Sequence, residues 1–157
     1  MSILAFDQAS NVSGWSLFDG NQYIDSGVVD CHTVKDSDIR IQKMGLELGA
    51  IIDKCKPNAV VIENIQNQSS IATVILLGRL QGIVIGYCAA HDIPVHIISP
   101  TQWRKILNFK QGPGVKRTEL KAQSMNYVKE HFGLDFAEDR SEAICINVAA
   151  REMFNLN

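Results

Sequence analysis

The most constraining feature of this sequence is a short run, residues 59–62, in which every side chain is apolar and three are β-branched. Successive side chains of a strand point to opposite faces of a sheet, so this run predicts a central strand that is covered on both sides. Helical spacing of apolar residues precedes it over residues 36–55, and a second helix is predicted over residues 69–91, before a strand at 95–98. This order predicts right-handed parallel crossovers.

The first 29 residues have the pattern of a β-meander. An apolar run over residues 2–6 ends at Asp7, and residues 14–18 alternate between apolar and polar or small side chains. Residues 19–21 have the composition of a hairpin turn, and a third strand is predicted over residues 23–29. Together with the two parallel strands, the meander predicts an α/β fold with a mixed five-stranded sheet flanked by helices.

A final helix is predicted over residues 139–154, with an apolar face of Ala143, Ile146, Ala150 and Met153. We found no internal repeat, low-complexity tract or linker. We therefore expect a single domain over residues 1–157, a length sufficient for a substantial core.

Composition excludes several classes of protein. The 15 basic and 17 acidic residues give a net charge of −2, which excludes a wholly basic nucleic-acid binder. The four cysteines are 24, 33 and 57 residues apart, which excludes a CxxC-type zinc or redox centre and favours a reduced, cytoplasmic protein. No basic and apolar leader precedes the first strand, and Arg79 interrupts the most apolar stretch, so we expect neither secretion nor a membrane span.

Four carboxylates lie at positions that predict a common site. Asp7 and Glu63 each end a predicted strand, and Asp139 and Glu142 lie three residues apart at the start of the last helix. If the first and fourth strands pair in parallel, Asp7 and Glu63 lie side by side at the edge where α/β sheets bind ligands. Divalent cations relieve the repulsion between such carboxylates, and oxygen ligands favour Mg²⁺ or Mn²⁺.

Each carboxylate also has a purely structural interpretation. Asp7 alone is compatible with a strand-end turn, whereas Glu63 follows a buried strand and is costly there unless it is bound. Residues 139–142 have the spacing of a helix capping box, which for Asp139 and Glu142 alone is the favoured interpretation. Only the four acids together favour a metal site.

Five segments together have the pattern of a known family: residues 3–10 (ILAFDQAS), 13–15 (SGW), 61–64 (VIEN), 77–82 (LGRLQG) and 139–143 (DRSEA). With these segments the sequence resembles the RuvC family of Holliday junction resolvases. The segment 100–105 (PTQWRK) is similar to that of the small resolvases of lactococcal phages. Order and spacing agree over essentially the whole chain.

This resemblance implies a ribonuclease-H-like fold and a homodimeric crossover-junction endodeoxyribonuclease that cuts Holliday junctions, and other branched DNA, by paired nicks. It also implies two Mg²⁺ or Mn²⁺ ions per site, with Asp7 bridging both, Glu63 holding one, and Asp139 and Glu142 holding the other. Water would attack the phosphorus in line and leave a 5′-phosphate and a 3′-hydroxyl. If the gene is carried by a phage, the protein acts in the cytoplasm of the bacterial host.

The sequence departs from the family pattern at two positions. Glu142 stands where bacterial members usually have Asp, and Gln66 replaces an aromatic residue that is common three positions after the second acid. The polar loop at 64–70 is compatible with phosphate binding, with Asn67 as the candidate, or with a helix-capping role.

Residues 101–131 carry seven basic and two acidic residues, a net charge of +5 against −7 for the remainder. We predict that this segment binds DNA phosphates, and the alternative is an ordinary solvated helix face. Trp103 is compatible with stacking on a base or with a place in the core. The predicted DNA-binding residues of this segment are Arg104, Lys105, Lys116, Arg117 and Lys121.

The predicted helix 69–91 is apolar around its whole circumference, and Arg79 is its only charged residue. We therefore expect it to form part of a two-fold dimer interface, with Leu76 and Leu80 among its exposed positions. Glycines at 78, 82 and 86 form a stripe that favours close approach of another backbone. Packing of this stripe on the protein's own sheet is the alternative.

Two other functions remain open from the sequence. The same acids would serve a ribonuclease-H-like nuclease acting on structured RNA, which a monomeric state would favour. A catalytically silent junction-binding protein is the other alternative, although all four acids are present. The sequence does not identify a helicase partner.

Overall fold

The computed structural model of the chain describes residues 1–66 and 70–156. Its elements are β1 (Ser2–Asp7), β2 (Val12–Asp19), β3 (Gln22–Asp30), α1 (Ser37–Cys55), β4 (Ala59–Glu63), α2 (Ile71–Ala90), β5 (Val95–Ile98), α3 (Pro100–Ile106), α4 (Arg117–Phe132) and α5 (Glu138–Phe154). The strands form one sheet of order β3-β2-β1-β4-β5. Strands β1, β2 and β3 pair antiparallel, and β4 pairs in parallel with both β1 and β5. The predicted mixed α/β fold is confirmed.

Helices cover both faces of this sheet. Ile3 and Ala5 of β1 pack into a core shared with α5, α3 and α4, whereas Leu4 and Phe6 pack into a second core with α1 and α2. This is the alternation that a strand buried on both sides requires. The two cores are separated by the sheet, so the molecule has an α5 face and an α2 face.

The structure corrects the predicted helices in several places. Helices α3 and α4 lie almost entirely within the basic segment 101–131, where we predicted no helix. Helix α5 begins at Glu138, and Met153 is 39% exposed, so it does not belong to the buried face. Helix α2 begins at Ile71; residue 69, where we expected its start, lies outside the described residues.

Helix α2 leaves most of its apolar surface uncovered. Its buried residues are Leu80, Val84 and Cys88, whereas Ile71 and Ile75 are 80% and 50% exposed. The prediction that Leu80 is exposed is wrong, because its side chain is fully buried in the α1–α2 core.

The glycine stripe of α2 faces open space. A Cβ atom added at Gly82 or Gly86 would meet no other atom of the described residues within 4 Å, and one at Gly78 would meet only Ile65 at 3.9 Å. The alternative, that this stripe packs on the protein's own sheet, is therefore wrong. By length and apolar composition alone, α2 is also a helix that could cross a membrane.

Candidate active site

Two carboxylates end adjacent parallel strands. Asp7 is the last residue of β1 and Glu63 the last residue of β4, and the register pairs Phe6 with Ile62 directly before them. Asp7 and Glu63 therefore lie side by side at the carboxyl edge of the sheet, and both line one cavity of about 570 Å³. The parallel pairing on which their predicted proximity depended is confirmed.

The first turns of α5 bring the other two carboxylates to the same cavity. Ligand oxygens of Asp7, Asp139 and Glu142 all lie within 4.8 Å of one another. Glu63 is outside this group of three but lines the cavity with them. Three separate pieces of chain thus supply four acids to one place.

The capping-box interpretation of residues 139–142 is wrong. Ala137 occupies the N-cap position of α5, no side chain caps the helix, and Asp139 is its second residue. The ion pair near this helix start joins Lys121 to Glu138 instead. Asp139 and Glu142 are consequently not used for capping and face the cavity.

Gly14 allows α5 to reach this position. It lies on β2 opposite Asp7, and a Cβ atom at Gly14 would lie 2.0 Å from the carbonyl oxygen of Asp139. Real Cβ contacts are never so short, so the backbone of α5 would have to move. We did not assign this role from the sequence, although a glycine inside a strand is a signal of close backbone approach.

Buried polar contacts fix α5 on β1 and β2. Ser16 Oγ donates a hydrogen bond to the Ala143 carbonyl at 2.7 Å. Asn147 Nδ2 donates to the carbonyl oxygens of Ile3 and Ser16, each at 3.0 Å. Neither residue is among the predicted site residues; the signal in the sequence is an asparagine on an otherwise apolar face, since buried polar groups are generally paired.

Burial and repulsion from neighbouring carboxylates raise the pKa of all four carboxyl groups. Burial is the largest cause for each of them. Asp7 is affected most strongly, since Glu63, Glu142 and Asp139 all add repulsion, and its pKa lies well above the ordinary value. The pKa of Glu63 is raised to about 7. A bound cation would offset both causes.

The structure decides between the two interpretations of Trp103. Its side chain is fully buried in the α5-face core, which excludes stacking on a base. The indole Nε1 donates a hydrogen bond to Glu63 Oε1 at 2.6 Å. Trp103 therefore belongs to the core and also contacts the site.

The predicted DNA-binding residues divide into two groups. Arg104, Arg117 and Lys121 line the cavity with the four acids. Lys105 and Lys116 are exposed and lie outside its lining. Asn67 falls outside the described residues.

Arg104 has unused hydrogen-bonding capacity beside the acids. Its Nε is buried and has no hydrogen-bond partner among residues 1–66 and 70–156. Its charge lowers the pKa of both Glu63 and Glu142, against the dominant effect of burial. The cavity thus combines an acidic centre with a basic wall, an arrangement suited to a phosphodiester bound at a cation site.

A model of the family described as crossover junction endodeoxyribonuclease RuvC matches residues 3–148. The chain belongs to the RuvC family. A RuvC from Oleidesulfovibrio alaskensis is 29% identical, with 92% of this chain and 89% of the relative covered. A RuvC from Geotalea uraniireducens is 26% identical, with 94% and 86% covered.

Solved RuvC structures share the fold. The structure of T. thermophilus RuvC in complex with a Holliday junction substrate superposes with a TM-score of 0.77 at 14% identity, covering all of this chain and 96% of the other. Another T. thermophilus RuvC structure gives a TM-score of 0.73 at 17% identity, with 99% and 96% covered. The family predicted from the sequence motifs is confirmed.

Proposed function

We propose that this RuvC-family protein is a metal-dependent, structure-selective endonuclease that resolves Holliday junctions by paired nicks. The observation that carries the proposal is the meeting of Asp7, Asp139 and Glu142 within 4.8 Å, with Glu63 on the same cavity. Membership of the RuvC family supports the substrate class. A single nuclease domain over residues 1–157, acting in the cytoplasm of a bacterium or a phage-infected host, is part of the proposal.

The four acids fit a divalent-cation site. All are carboxylates, three offer oxygens close enough to share an ion, and their raised pKa values reflect a need for compensating positive charge. Asp7, Glu63, Asp139 and Glu142 would hold Mg²⁺ or Mn²⁺, with two ions per site as the proposal. Ions held there would supply activation of water and stabilisation of the leaving oxygen.

The basic wall of the cavity has a separate role. Arg104 and Arg117 lie where they would bind the phosphate groups that flank the scissile bond, and Lys121 is held close by Glu138. Arg104 is the strongest candidate because its buried Nε lacks a partner among the described residues. Lys105, Lys116 and Asn67 remain predicted contacts to more distant phosphates.

We further propose that a second copy of the chain covers α2. Resolution of a four-way junction requires two symmetric incisions, and a two-fold dimer supplies two sites. The exposed Ile71 and Ile75 and the open stripe at Gly82 and Gly86 support this occupant, since an apolar helix with small residues permits close packing of two backbones. A membrane is the competing occupant for a helix of this composition.

One cleavage experiment tests the proposed function. The protein is incubated with four-way, three-way and duplex DNA and with structured RNA, each in Mg²⁺ and in EDTA. We expect Mg²⁺-dependent cutting of the four-way junction in preference to duplex. Preferred cutting of RNA would support the RNA nuclease alternative, and binding without cutting in any metal would support the silent junction-binding protein.

A further inference from the structure

Trp103 makes a hydrogen bond that links the α5-face core to the proposed cation site. Its indole Nε1 donates to Glu63 Oε1 at 2.6 Å, which joins α3 to the carboxyl end of β4 across 40 residues of sequence. An indole N–H is a donor only and needs a partner when it is buried. Here the partner is one of the four acids of the proposed cation site.

The indole has little freedom to move. Helix α3 starts with a complete capping box, in which Ser99 and Gln102 each bond the other's backbone, and Pro100 occupies its first turn. The Trp103 ring is fully buried, and Phe109 packs edge-on against it with ring centres 5.6 Å apart. A rigid donor therefore meets a carboxyl group that ends a central strand.

A fixed donor limits how a carboxylate can present its oxygens. Glutamate has three side-chain torsions, and a free Glu63 would lose this freedom on binding an ion. With Oε1 held by the indole, the Glu63 side chain has less freedom left to lose when it binds an ion. A phenylalanine at 103 would fill most of the same volume without providing this constraint.

We propose that Trp103 is a positioning residue that orients the Glu63 carboxylate for binding a divalent cation. The inference rests on the proposed function, since it assumes that Glu63 is a cation ligand. Hydrogen-bond partners of metal ligands elsewhere contribute about 10- to 100-fold to metal affinity. The purely structural alternative is that Trp103 serves only as a large core residue.

Trp103→Phe separates these roles, because it removes the donor and keeps an aromatic ring. Phe109→Leu is the matched control: it removes packing against Trp103 and leaves the hydrogen bond to Glu63 intact. We expect the Mg²⁺ concentration for half-maximal junction cleavage to rise about 10- to 100-fold in Trp103→Phe. It should stay near the wild-type value in Phe109→Leu. Equal Mg²⁺ responses in both variants and the wild type would overturn the inference.

A second measurement uses the wild-type protein without DNA. The chain has two tryptophans, and their indole N–H signals in a ¹⁵N-correlated NMR spectrum are assigned by Trp15→Phe. During a Mg²⁺ titration the Trp103 signal should shift and saturate, and Glu63→Gln should displace it in the metal-free protein. A Trp103 signal that responds to neither change overturns the inference even if Trp103→Phe fails to fold.

The two measurements also separate this inference from the proposed function. If the wild type cuts junctions in Mg²⁺ but Trp103→Phe has an unchanged Mg²⁺ response, only the inference fails. If the wild type cuts no branched DNA while the Trp103 signal still responds to Mg²⁺, the proposed function fails and the inferred link from Trp103 to the cation site holds.

Discussion

The helices on the two faces of the sheet differ in burial in the opposite sense to their charge content. Helix α5 carries six charged residues and is largely buried, whereas α2 carries one charged residue and has three buried positions. Helix α5 is held on β1 and β2 by Ser16 and Asn147, and its first turn supplies two acids to the cavity. The comparison teaches that charge content does not predict burial here: one face supplies acids to the cavity, and the other leaves an apolar surface that we propose a second copy of the chain covers.

The largest effect is expected from removing a ligand charge at the end of β1. Asp7→Asn keeps the side-chain volume but weakens cation binding, so junction cleavage should fall below detection while junction binding persists. Glu63→Gln, Asp139→Asn and Glu142→Gln should act alike. Gel-shift and cleavage assays measure both properties.

Glu138→Gln is the matched control for the two acids of α5. Glu138 lies on the same helix turn but pairs with Lys121, so its variant should keep most of its activity. Cleavage at the wild-type level by Asp139→Asn or Glu142→Gln would remove that residue from the proposed site.

The next largest effect is expected where α5 meets the sheet. In Gly14→Ala the new methyl group collides with the backbone of Asp139, so α5 must shift and carry Asp139 and Glu142 out of place. We expect a loss of about 1–3 kcal/mol in stability together with a severe loss of cleavage. Thermal melts and cleavage rates measure these changes.

Gly82→Ala tests the other side of the comparison. Gly82 has open space around it, and alanine favours a helix over glycine by about 1 kcal/mol, so the isolated fold should not be harmed. Similar damage from both glycine variants would contradict the distinction between the two faces.

A smaller effect on the fold, but a clear one on assembly, is expected from a charge on α2. Ile75→Glu places a carboxylate at a half-exposed apolar position and should give a folded monomer. Met125→Glu, on α4 of the opposite face, is the control and should remain dimeric.

Sedimentation equilibrium measures the oligomeric state of each variant, and circular dichroism checks that it is folded. Leu80→Glu is unsuitable because Leu80 is buried. A wild-type monomer at micromolar concentration would defeat the proposed dimer.

The smallest effect concerns pH in the absence of metal. The pKa of Glu63 is raised from an ordinary value of 4.5 to about 7, so the folded protein keeps a proton that the unfolded chain has released. The stability from this proton is complete below about pH 4.5 and is lost as pH rises through 7, by up to about 1.4 kcal/mol per pH unit. In EDTA the melting temperature should therefore fall over this range.

Two controls accompany the pH measurement. Glu63→Gln cannot release the proton and should flatten the profile, and added Mg²⁺ should do the same by offsetting the negative charge. A profile of equal steepness in Glu63→Gln would assign the pH dependence to other groups.

Much of the fold was predictable because the determining signals are local. Apolar runs over β1 and β4 mark strands that end in Asp7 and Glu63, and the chain order allows the parallel pairing that the structure shows. Helix α4 was missed because it buries little, with Ser124 and Val128 as its buried positions, so no apolar periodicity marks it. The basic composition of that segment predicted binding of DNA phosphates and did not indicate a helix.

Contacts between residues that are distant in the sequence could not be predicted. Gly14 meets Asp139 across 125 positions, and Asn147 reaches Ile3 across 144. The capping-box pattern at Asp139 misled for the opposite reason: it is a valid local signal, but the N-cap of α5 is Ala137, two residues before Asp139. Local patterns predicted which acids come together, and the fold shows how they are held.

The central claim has two parts. One face of the sheet builds a cation-dependent site, and the α2 face binds a second copy of the chain, which supplies a second site. A supercoiled plasmid carrying an extruded cruciform tests both parts in one reaction, since two coordinated cuts linearise it and a single cut only relaxes it. We predict linear product from the wild type in Mg²⁺, nicked circles from Ile75→Glu, and intact plasmid in EDTA. Nicked circles alone from the wild type in Mg²⁺, or cutting in EDTA, would contradict the account.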